Sequence, residues 1–390
     1  MKILYVLNSS KYGGMEWHVY DLVKGMVKNG HEVFVWCPEG AMSDLYAESG
    51  AETYDKKIAK DIDFKYINEL AVFIKKNCID IVHAHELKAA SNALLAGNKA
   101  KVKVLITHTH TPISEWKIPE FKKKINKKVY SFLVNKYSDS EIALTESKKR
   151  VKIKEGIKES KLTVIPNGLD TLKFHITPNQ RSEYEEEIKN KYGIPKTAFV
   201  FGNVGRLTEE KGIDILIKAF SKFLKSDLFH QRDFYLLIAG GGKLEESLKK
   251  LAQDLNLDGK VIITGAFDDI DKVKYYSSFD AFVFSSLAEG FGIVLLEALY
   301  MGLPTVCSDL EVLKEVGGDS VRYFESGDDN SLAKAMIDEY EITSKDGKSA
   351  LDKSRLRVES LYSMEKFISN YLNLYKKLLE KNQNKERKGK

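Results

Sequence analysis

The amino-acid sequence predicts an α/β protein made of two domains, each a doubly wound and largely parallel sheet. Three observations carry this expectation. A chain of 390 residues is longer than one ordinary core usually fills, so length favours two domains. Short apolar runs alternate with helical segments along most of the chain, the pattern of βαβ units with helices on both faces of a parallel sheet. The alternation breaks once, in a polar stretch, and then resumes. Hydrophobic content of 43% and charged content of 30% are those of a globular protein rather than a disordered or membrane-spanning one.

In chain order, "KILYVLN" reads as a strand and "SSKYGG" as a turn. Val19, Leu22, Val23, Met26 and Val27 then fall at helical spacing before Gly30. "HEVFVW", "IDIVHAH", "VKVLIT", "EIALT" and "LTVIP" read as further strands, with residues 86–100 and 146–156 among the intervening helices. After "VIPNGLDTLKF" the pattern dissolves into a charged segment punctuated by Pro178 and Pro195, which is read as a linker over 176–195. "FVFGNV", "FYLLIAG", "KVIIT", "DAFVFSS", "PTVCS" and "SVRYF" form the second strand series. From Met364 to Glu380 one helical side carries Phe367, Ile368, Tyr371, Leu372, Leu374, Tyr375 and Leu378. The expected boundaries are 1–175, 176–195 (linker), 196–363, 364–380 (closing helix) and 381–390, the last read as a disordered tail.

Several classes are excluded. No apolar run approaches the roughly 18–20 residues that span a bilayer, and the start lacks an export-type cleavage pattern, so a cytoplasmic protein is expected. Cys37, Cys78 and Cys307 lie far apart in apolar stretches and are read as buried thiols, without a disulfide or Cys-rich metal site. A net charge of +5 is mild for this length and implies no nucleic-acid partner. Locally, Lys117, Lys122, Lys123, Lys124, Lys127 and Lys128 face the single acid Glu120 within residues 117–128. Lysines beside a mixed apolar helix suit an anionic membrane surface; the alternative is a solvated basic face.

In parallel α/β sheets, ligands bind outside the carboxyl ends of the strands. The stretch "AEGFGIVLLEAL" (288–299) follows one such strand. Gly290 and Gly292 permit close backbone approach, and the first turn of the helix offers free N–H groups, an anion site for a phosphate on the amides of Phe291, Gly292 and Ile293. Glu297 lies inside an otherwise apolar helix and needs a partner. A pair of sugar hydroxyls suits it; so does a nearby lysine, and Glu289 could equally be a simple helix-start acid. "GNVGRLTEEKGID" (202–214) adds Arg206 and Lys211 in a strand-end loop, both able to address one diphosphate.

Gly13 and Gly14 stand at the first strand-to-helix turn without the G-x-G-x-x-G fingerprint, and "AGGGKLEE" (239–246) is not a P-loop. Taken alone, the glycine pair reads as turn geometry. "IVHAHE" and "LITHTHTP" place His83, His85, His108 and His110 at strand ends, and a spacing of two puts each pair on one face. A metal would need a third ligand and an arranged second shell, neither of which the sequence displays, so polar substrate contacts are the expected role and no metal is assigned. "DID" at 61–63 reads as a solvated turn.

With these residues assembled, the chain resembles the retaining glycosyltransferases of family 4. The resemblance runs through "GGMEWHVYDLVKGMVKNGHEV", "DIVHAH", "VIPNGLDTLKF", "VGRLTEEKGID", "SLAEGFGIVLLEALYMGLPTVCSD" and the closing helix. It implies the GT-B fold, two Rossmann-like domains facing across a cleft, with a closing helix that crosses back to the N-terminal domain as part of a hinge. It implies a nucleotide-sugar donor, UDP- or GDP-linked, in the C-terminal domain, and a glycan, lipid-linked or small-molecule acceptor on the N-terminal one. Glu289 and Glu297 match the E-x7-E motif, the first on the donor sugar and the second on the ribose. Arg206 and Lys211 match the diphosphate pair, with Gly265, Gly290, Phe291, Gly292 and Ile293 completing the donor side. Gly13 and Gly14 match the loop over the diphosphate, which reverses their geometric reading. The cleft histidine contacting the donor sugar is matched by His110 in preference to His108, with His85 and Glu315 as further donor-sugar or acceptor contacts. "SDLEVLKEVGG" departs from the family's Gly-Gly before Pro-Glu, so Glu315 fills the Glu position only by analogy. No cofactor is implied, and no protein base, since the departing phosphate takes the acceptor's proton. The expected setting is cell-surface polysaccharide or glycolipid synthesis at the cytoplasmic membrane face, with Lys122, Lys123, Lys124, Lys127 and Lys128 facing the membrane. The alternatives are a GT-B sugar-nucleotide epimerase and a non-catalytic nucleotide-sugar sensor.

Overall fold

The computed structural model describes residues 1–226, 232–346 and 349–388. The chain divides into two compact units, Met1–Gly168 with Glu365–Lys390, and Leu169–Met364.

The first unit holds strands β1 (Lys2–Val6), β2 (Glu32–Cys37), β3 (Glu52–Asp55), β4 (Ile81–His85), β5 (Val104–His108), β6 (Ser140–Ala143) and β7 (Leu162–Val164). Its helices are α1 (Gly14–Lys28), α2 (Ala41–Glu48), α3 (Phe64–Lys76), α4 (Leu87–Ala100), α5 (Glu120–Tyr137) and α6 (Glu146–Lys154). All neighbours pair in parallel, in the order β3-β2-β1-β4-β5-β6-β7. Ile3, Leu4, Tyr5 and Val6 are all fully buried, as expected where helices cover both faces and a strand reads as a continuous apolar run.

The second unit holds β8 (Phe199–Val204), β9 (Phe234–Ala239), β10 (Val261–Ile263), β11 (Ala281–Phe284), β12 (Thr305–Ser308) and β13 (Arg322–Phe324). Around this sheet run α7 (Pro178–Lys191), α8 (Ile213–Leu224), α9 (Glu245–Asp254), α10 (Lys272–Ser277), α11 (Ile293–Tyr300), α12 (Glu311–Gly317), α13 (Asp329–Asp346) and α14 (Ser349–Tyr362). The strand order is β10-β9-β8-β11-β12-β13, again wholly parallel. α8 turns Leu216, Ile217, Phe220 and Phe223 onto the core beside Phe201, Phe234 and Leu236.

The structure corrects four expectations. The stretch read as a linker, 176–195, is mostly helix α7. Thr177 accepts from the Gln180 amide at 3.2 Å while the Gln180 side chain accepts from the Thr177 amide at 2.9 Å, a capping box followed by Pro178 at the first helical position. The tail read as disordered continues the final helix, α15 (Met364–Lys388), as far as the described residues run. Strand β3 went unread because "ETYD" is polar and only half-buried at the sheet edge. Cys37 and Cys307 are buried, but Cys78 is exposed, just past the end of α3 at φ +52°.

Helix α15 belongs to the first unit. Its Phe367, Ile368, Tyr371, Leu374, Tyr375 and Leu378 are buried. The Tyr375 hydroxyl lies 3.2 Å from that of Tyr5 and 2.8 Å from His83 Nδ1. A Cβ on Gly25 of α1 would stand 2.2 Å from Ile368 Cδ1, so this glycine sets the helix-to-helix distance. Replacing Tyr375 by Phe leaves the Tyr5 hydroxyl and His83 Nδ1 buried without their shared partner. The expected loss is about 1–3 kcal/mol in urea unfolding; an unchanged midpoint would show that the hydroxyl triad contributes nothing net.

Candidate functional site

Each sheet reverses its strand order once, between β1 and β4 and between β8 and β11. At such a reversal the loops leaving adjacent strands run to opposite faces and leave a crevice at the carboxyl edge. Most of the residues singled out by sequence gather at these two places; Gly265 after β10, Glu315 on α12 and the lysines of α5 do not.

In the second unit, the loop after β8 carries Arg206 and Lys211, and the loop after β11 carries Glu289, Gly290 and Gly292. The two loops are tied together. Leu287 N donates to Glu210 O at 2.8 Å, Ser285 Oγ donates to Lys211 O at 3.0 Å, and Lys211 forms an ion pair with Glu289. Ser286 Oγ donates to the same Glu289 oxygen at 2.8 Å. Gly212 makes the approach feasible: its φ is +58°, and a Cβ there would lie 2.3 Å from Ser285 O. Arg206, by contrast, is largely exposed, with a side-chain exposure of 77% and only Glu210 nearby at 4.0 Å.

Gly292, at φ +93°, starts α11 without a side-chain cap, so the N–H groups of its first turn face a potential anion. Phe291 is buried, its ring edge-on to Tyr362 at 5.8 Å. Inside α11, Glu297 is buried and has two partners: Lys272 Nζ at 3.0 Å on one oxygen and the Tyr276 hydroxyl at 2.7 Å on the other. Both acids of the pair therefore hold a lysine here, the partner the sequence offered as the alternative to a sugar. Burial alone would lower the Lys272 ammonium, but Glu297 and Asp269 hold it above its ordinary value. Burial and then Glu297 push the Tyr276 phenol well up. Gly265, at φ +74°, follows β10 and bridges to Gly240. The glycine run at 240–242 is explained by packing: a Cβ would stand 1.8 Å from Gly205 O at Gly240, 2.8 Å from Ala266 N at Gly241 and 2.6 Å from Leu207 O at Gly242. Glu315 lies on α12, where its carbonyl accepts from Arg357 at 2.9 Å.

In the first unit, Gly13 caps α1 with extended backbone, and Gly14 has no atom within 4 Å of the place a Cβ would take. Neither has a positive φ, so the turn itself does not demand glycine. Nearby the histidines converge. His85 and His108 are paired in register on β4 and β5. The rings of His83 and His85 lie 4.3 Å apart, and those of His108 and His110 stack at 3.8 Å. His18 of α1 closes the group at 4.9 Å from His108 and 4.8 Å from His110. His83, His85 and His108 are fully buried, which leaves His110 as the partly exposed member of the two strand-end pairs. Burial lowers His18 to about 4, against the opposing hydrogen bond to Asn167. It also drives His83, His85, His108 and His110 well below the ordinary imidazole value.

Three features here escaped the sequence reading. The buried ion pair of Lys152 with Glu141 clamps the residue between His108 and His110, since Lys152 Nζ donates to Thr109 O at 2.8 Å and Glu141 accepts from Thr109 N at 3.1 Å. Burial would raise the Glu141 carboxyl, but Lys152 pulls it below its usual value. Glu86, directly after β4, sits at φ +61° and ψ 165°, a backbone state costing about 1–3 kcal/mol that clusters at functional sites. Burial and the nearby Glu16 push its carboxyl up to about 6. The third is the place of His18 among the strand-end histidines. The only linear hints were "HAHE" and the histidine in "MEWHV".

Comparison with known proteins settles the family. The profile of glycosyltransferase family 4 matches residues 12–173, and that of glycosyl transferases group 1 matches residues 184–348. A UDP-Gal:α-D-GlcNAc-diphosphoundecaprenol α-1,3-galactosyltransferase of Escherichia coli is 31% identical over 284 residues, 70% of each chain. The chain belongs to the family 4, group 1 glycosyltransferases. Its GT-B fold is shared with a glycosyltransferase of Rickettsia africae, at TM-score 0.83 and 23% identity over 97% of this chain and 98% of that one. It is shared also with HepE of Anabaena solved with UDP, at TM-score 0.84 and 20% identity over 97% and 100% of the two chains.

The basic segment of this glycosyltransferase is helix α5. Lys122, Lys124 and Lys128 are exposed, Lys127 is half-buried, and Lys123 bonds Glu120 at 2.8 Å. Phe121, Ile125, Val129 and Phe132 are exposed between them, at spacings of four, four and three. No helix among the described residues is long and apolar enough to cross a membrane.

The imidazole array makes stability depend on pH. A histidine whose folded pKa is depressed is neutral in the native state, so its share of stability is complete above about pH 6.5 and is lost as pH falls toward the folded value. For His18 the window runs from about 6.5 to about 4, and its share of the loss at pH 5.5 is on the order of 1 kcal/mol. Urea unfolding between about pH 7.5 and 5.5 is therefore expected to show a steep fall; a flat profile would mean that the array is charged or hydrated.

Proposed function

We propose that this glycosyltransferase is a retaining enzyme that moves a hexosyl or N-acetylhexosaminyl group from a nucleotide-sugar donor to a glycan or lipid-linked acceptor in cell-surface polysaccharide or glycolipid synthesis. The observation that carries this reading is the joining of the β8 and β11 loops through Lys211, Glu289 and the uncapped start of α11.

Arg206 and Lys211 bind the donor diphosphate, with the amides of Phe291, Gly292 and Ile293 supplying further donors. Lys211 leaves Glu289 for the diphosphate, which frees that carboxylate for the sugar hydroxyls. Glu297 keeps Lys272 and Tyr276 and uses its remaining lone pairs for the ribose. As the glycosidic bond breaks, the charge appearing on the β-phosphate meets two cations and a helix N-terminus, so no metal is required for leaving-group stabilisation. The departing phosphate oxygen takes the acceptor hydroxyl proton on the face it leaves, which retains configuration. His110 contacts the donor sugar, and Gly13 and Gly14 let backbone approach the diphosphate, a role consistent with the absence of any turn strain at either. The E. coli relative acts on a lipid-linked acceptor with UDP-Gal, which supports a uridine donor and a membrane-held acceptor here. The exposed apolar stripe of α5, flanked by lysines, then rests on anionic lipid at the cytoplasmic face.

Titration calorimetry with UDP-, GDP- and ADP-sugars, without metal, is expected to show binding of one donor class. Arg206→Ala or Lys211→Ala should weaken it by at least tenfold, since a charge-assisted hydrogen bond contributes about 1.5–3 kcal/mol. Glu297→Ala should weaken binding of the free nucleotide as well; an unchanged dissociation constant would remove the ribose role. For the surface, replacing Lys122, Lys124 and Lys128 by Glu is expected to abolish sedimentation with phosphatidylglycerol vesicles while leaving donor binding intact, and persistent sedimentation would remove the lipid contact.

A further inference from the structure

Five of the chain's eight histidines meet at the carboxyl edge of β4 and β5. Four of them, His18, His85, His108 and His110, each offer a nitrogen within 4.8 Å of the others. We propose that these four imidazoles bind a late first-row divalent cation of the zinc class.

The hydrogen-bond inventory points the same way. His85 Nε2 and both nitrogens of His108 are buried without a hydrogen-bond partner. Such groups are uncommon in folded proteins and call for an explanation such as a bound ion. The ligands come from three different elements, α1, β4 and the end of β5 with its following loop, so the site is built by the fold rather than by a mobile run of histidines. Its orientation is set from outside: Asn167 Oδ1 lies 2.8 Å from His18 Nδ1, which fixes that nitrogen as the protonated one and leaves Nε2 for a ligand, the second-shell arrangement typical of metal-bound histidine. The Tyr371 hydroxyl, 3.3 Å from His18 Nε2, can rotate away.

Ligation requires the neutral ring, the form favoured by removing an imidazole from solvent, and His18, His85 and His108 are buried. Zinc–nitrogen bonds of about 2.0–2.1 Å put tetrahedral ligands about 3.4 Å apart, so the rings must close in by roughly an ångström, the stacked His108 and His110 rings must tilt apart to aim at one ion, and the 3.2 Å contact between His85 Nδ1 and His110 Nε2 must be exchanged for it. The adjacent cation, Lys152, is neutralised by Glu141. Partly exposed His110 gives an ion its way in. An all-imidazole set selects zinc, cobalt, nickel or copper over magnesium or calcium, which prefer oxygen. Binding would occupy His110, and a resulting block of transfer rests on the role proposed above for that residue; the binding itself does not.

The test uses the full chain without a histidine tag, stripped with a chelator, and titrated with Co2+ by visible absorption and with Zn2+ by calorimetry. A single ion per chain is expected, with the ligand-field bands of nitrogen-coordinated cobalt. His18→Ala and His108→Ala should each weaken it by at least tenfold and Asn167→Ala by about tenfold. His83→Gln, outside the set, should leave it unchanged, with circular dichroism confirming that every variant is folded. Absence of saturable binding, or binding indifferent to His18 and His108, overturns the site. Zinc inhibition is scored apart: a bound ion without inhibition would count against the role of His110 and leave the metal site standing.

Discussion

The constraint on which both units depend is that every strand is parallel to its neighbours. A parallel pair cannot be joined by a tight turn, so each connection crosses a face of the sheet and every strand delivers its following loop to the same edge. Where the order reverses, at β1/β4 and at β8/β11, the flanking crossovers part and the edge is left open. Gly13, Gly14, Glu86 and the strand-end histidines fall at or beside one opening; Arg206, Lys211, Glu289 and the start of α11 fall at the other. The chemistry is placed by topology before any side chain is chosen.

Side chains then hold the loops in position by two different means. In the second unit the ties are polar and partly solvated: Lys211 with Glu289, Ser286 with Glu289, and Ser285 with a backbone carbonyl. Ties of this kind are exchangeable, which suits the diphosphate role proposed for these loops. The corresponding loop of the first unit is fixed by a fully buried pair, Lys152 with Glu141, whose remaining bonds are taken up by Tyr130, Thr109 and Ile142. Removing one partner of such a pair strands a charge in the interior and costs about 3–5 kcal/mol. Rigidity is thus concentrated beside the buried imidazoles, and exchangeable ties at the loops after β8 and β11.

Much of this was legible in the sequence, for reasons that differ by element. Twelve of the strands were legible: the nine interior ones because burial on both faces makes them largely apolar runs, and the edge strands β7, β10 and β13 because they keep apolar residues although only partly buried; β3 did not read because its edge sequence "ETYD" is polar. Helix α7 was hidden because it buries little and is held by its capping box and its polar surface, exemplified by Lys274 with Glu187 at 2.8 Å, so its residues look like a linker. The loops after β8 and β11 were readable because local spacing alone puts glycines, acids and bases at strand ends. The place of His18, the backbone strain at Glu86 and the clamp on Thr109 were not, because each depends on residues brought together from distant parts of the chain. Glu297 shows the limit from the other side: its need for a partner was plain, but that Lys272 and Tyr276 of α10 come within hydrogen-bond reach of it was not.

Helix α15 has a further consequence. The first unit is assembled from residues 1–168 and from 365–390, with the whole second unit encoded in between. During synthesis the face formed by Tyr5, His18 and His83 must therefore wait, uncovered, until Phe367, Tyr371 and Tyr375 emerge from the ribosome. The second unit, continuous in sequence, has every strand it needs before that moment. The order of maturation along the chain is thus the reverse of the order of translation, and the histidine-lined edge is the last part of the enzyme to be sealed.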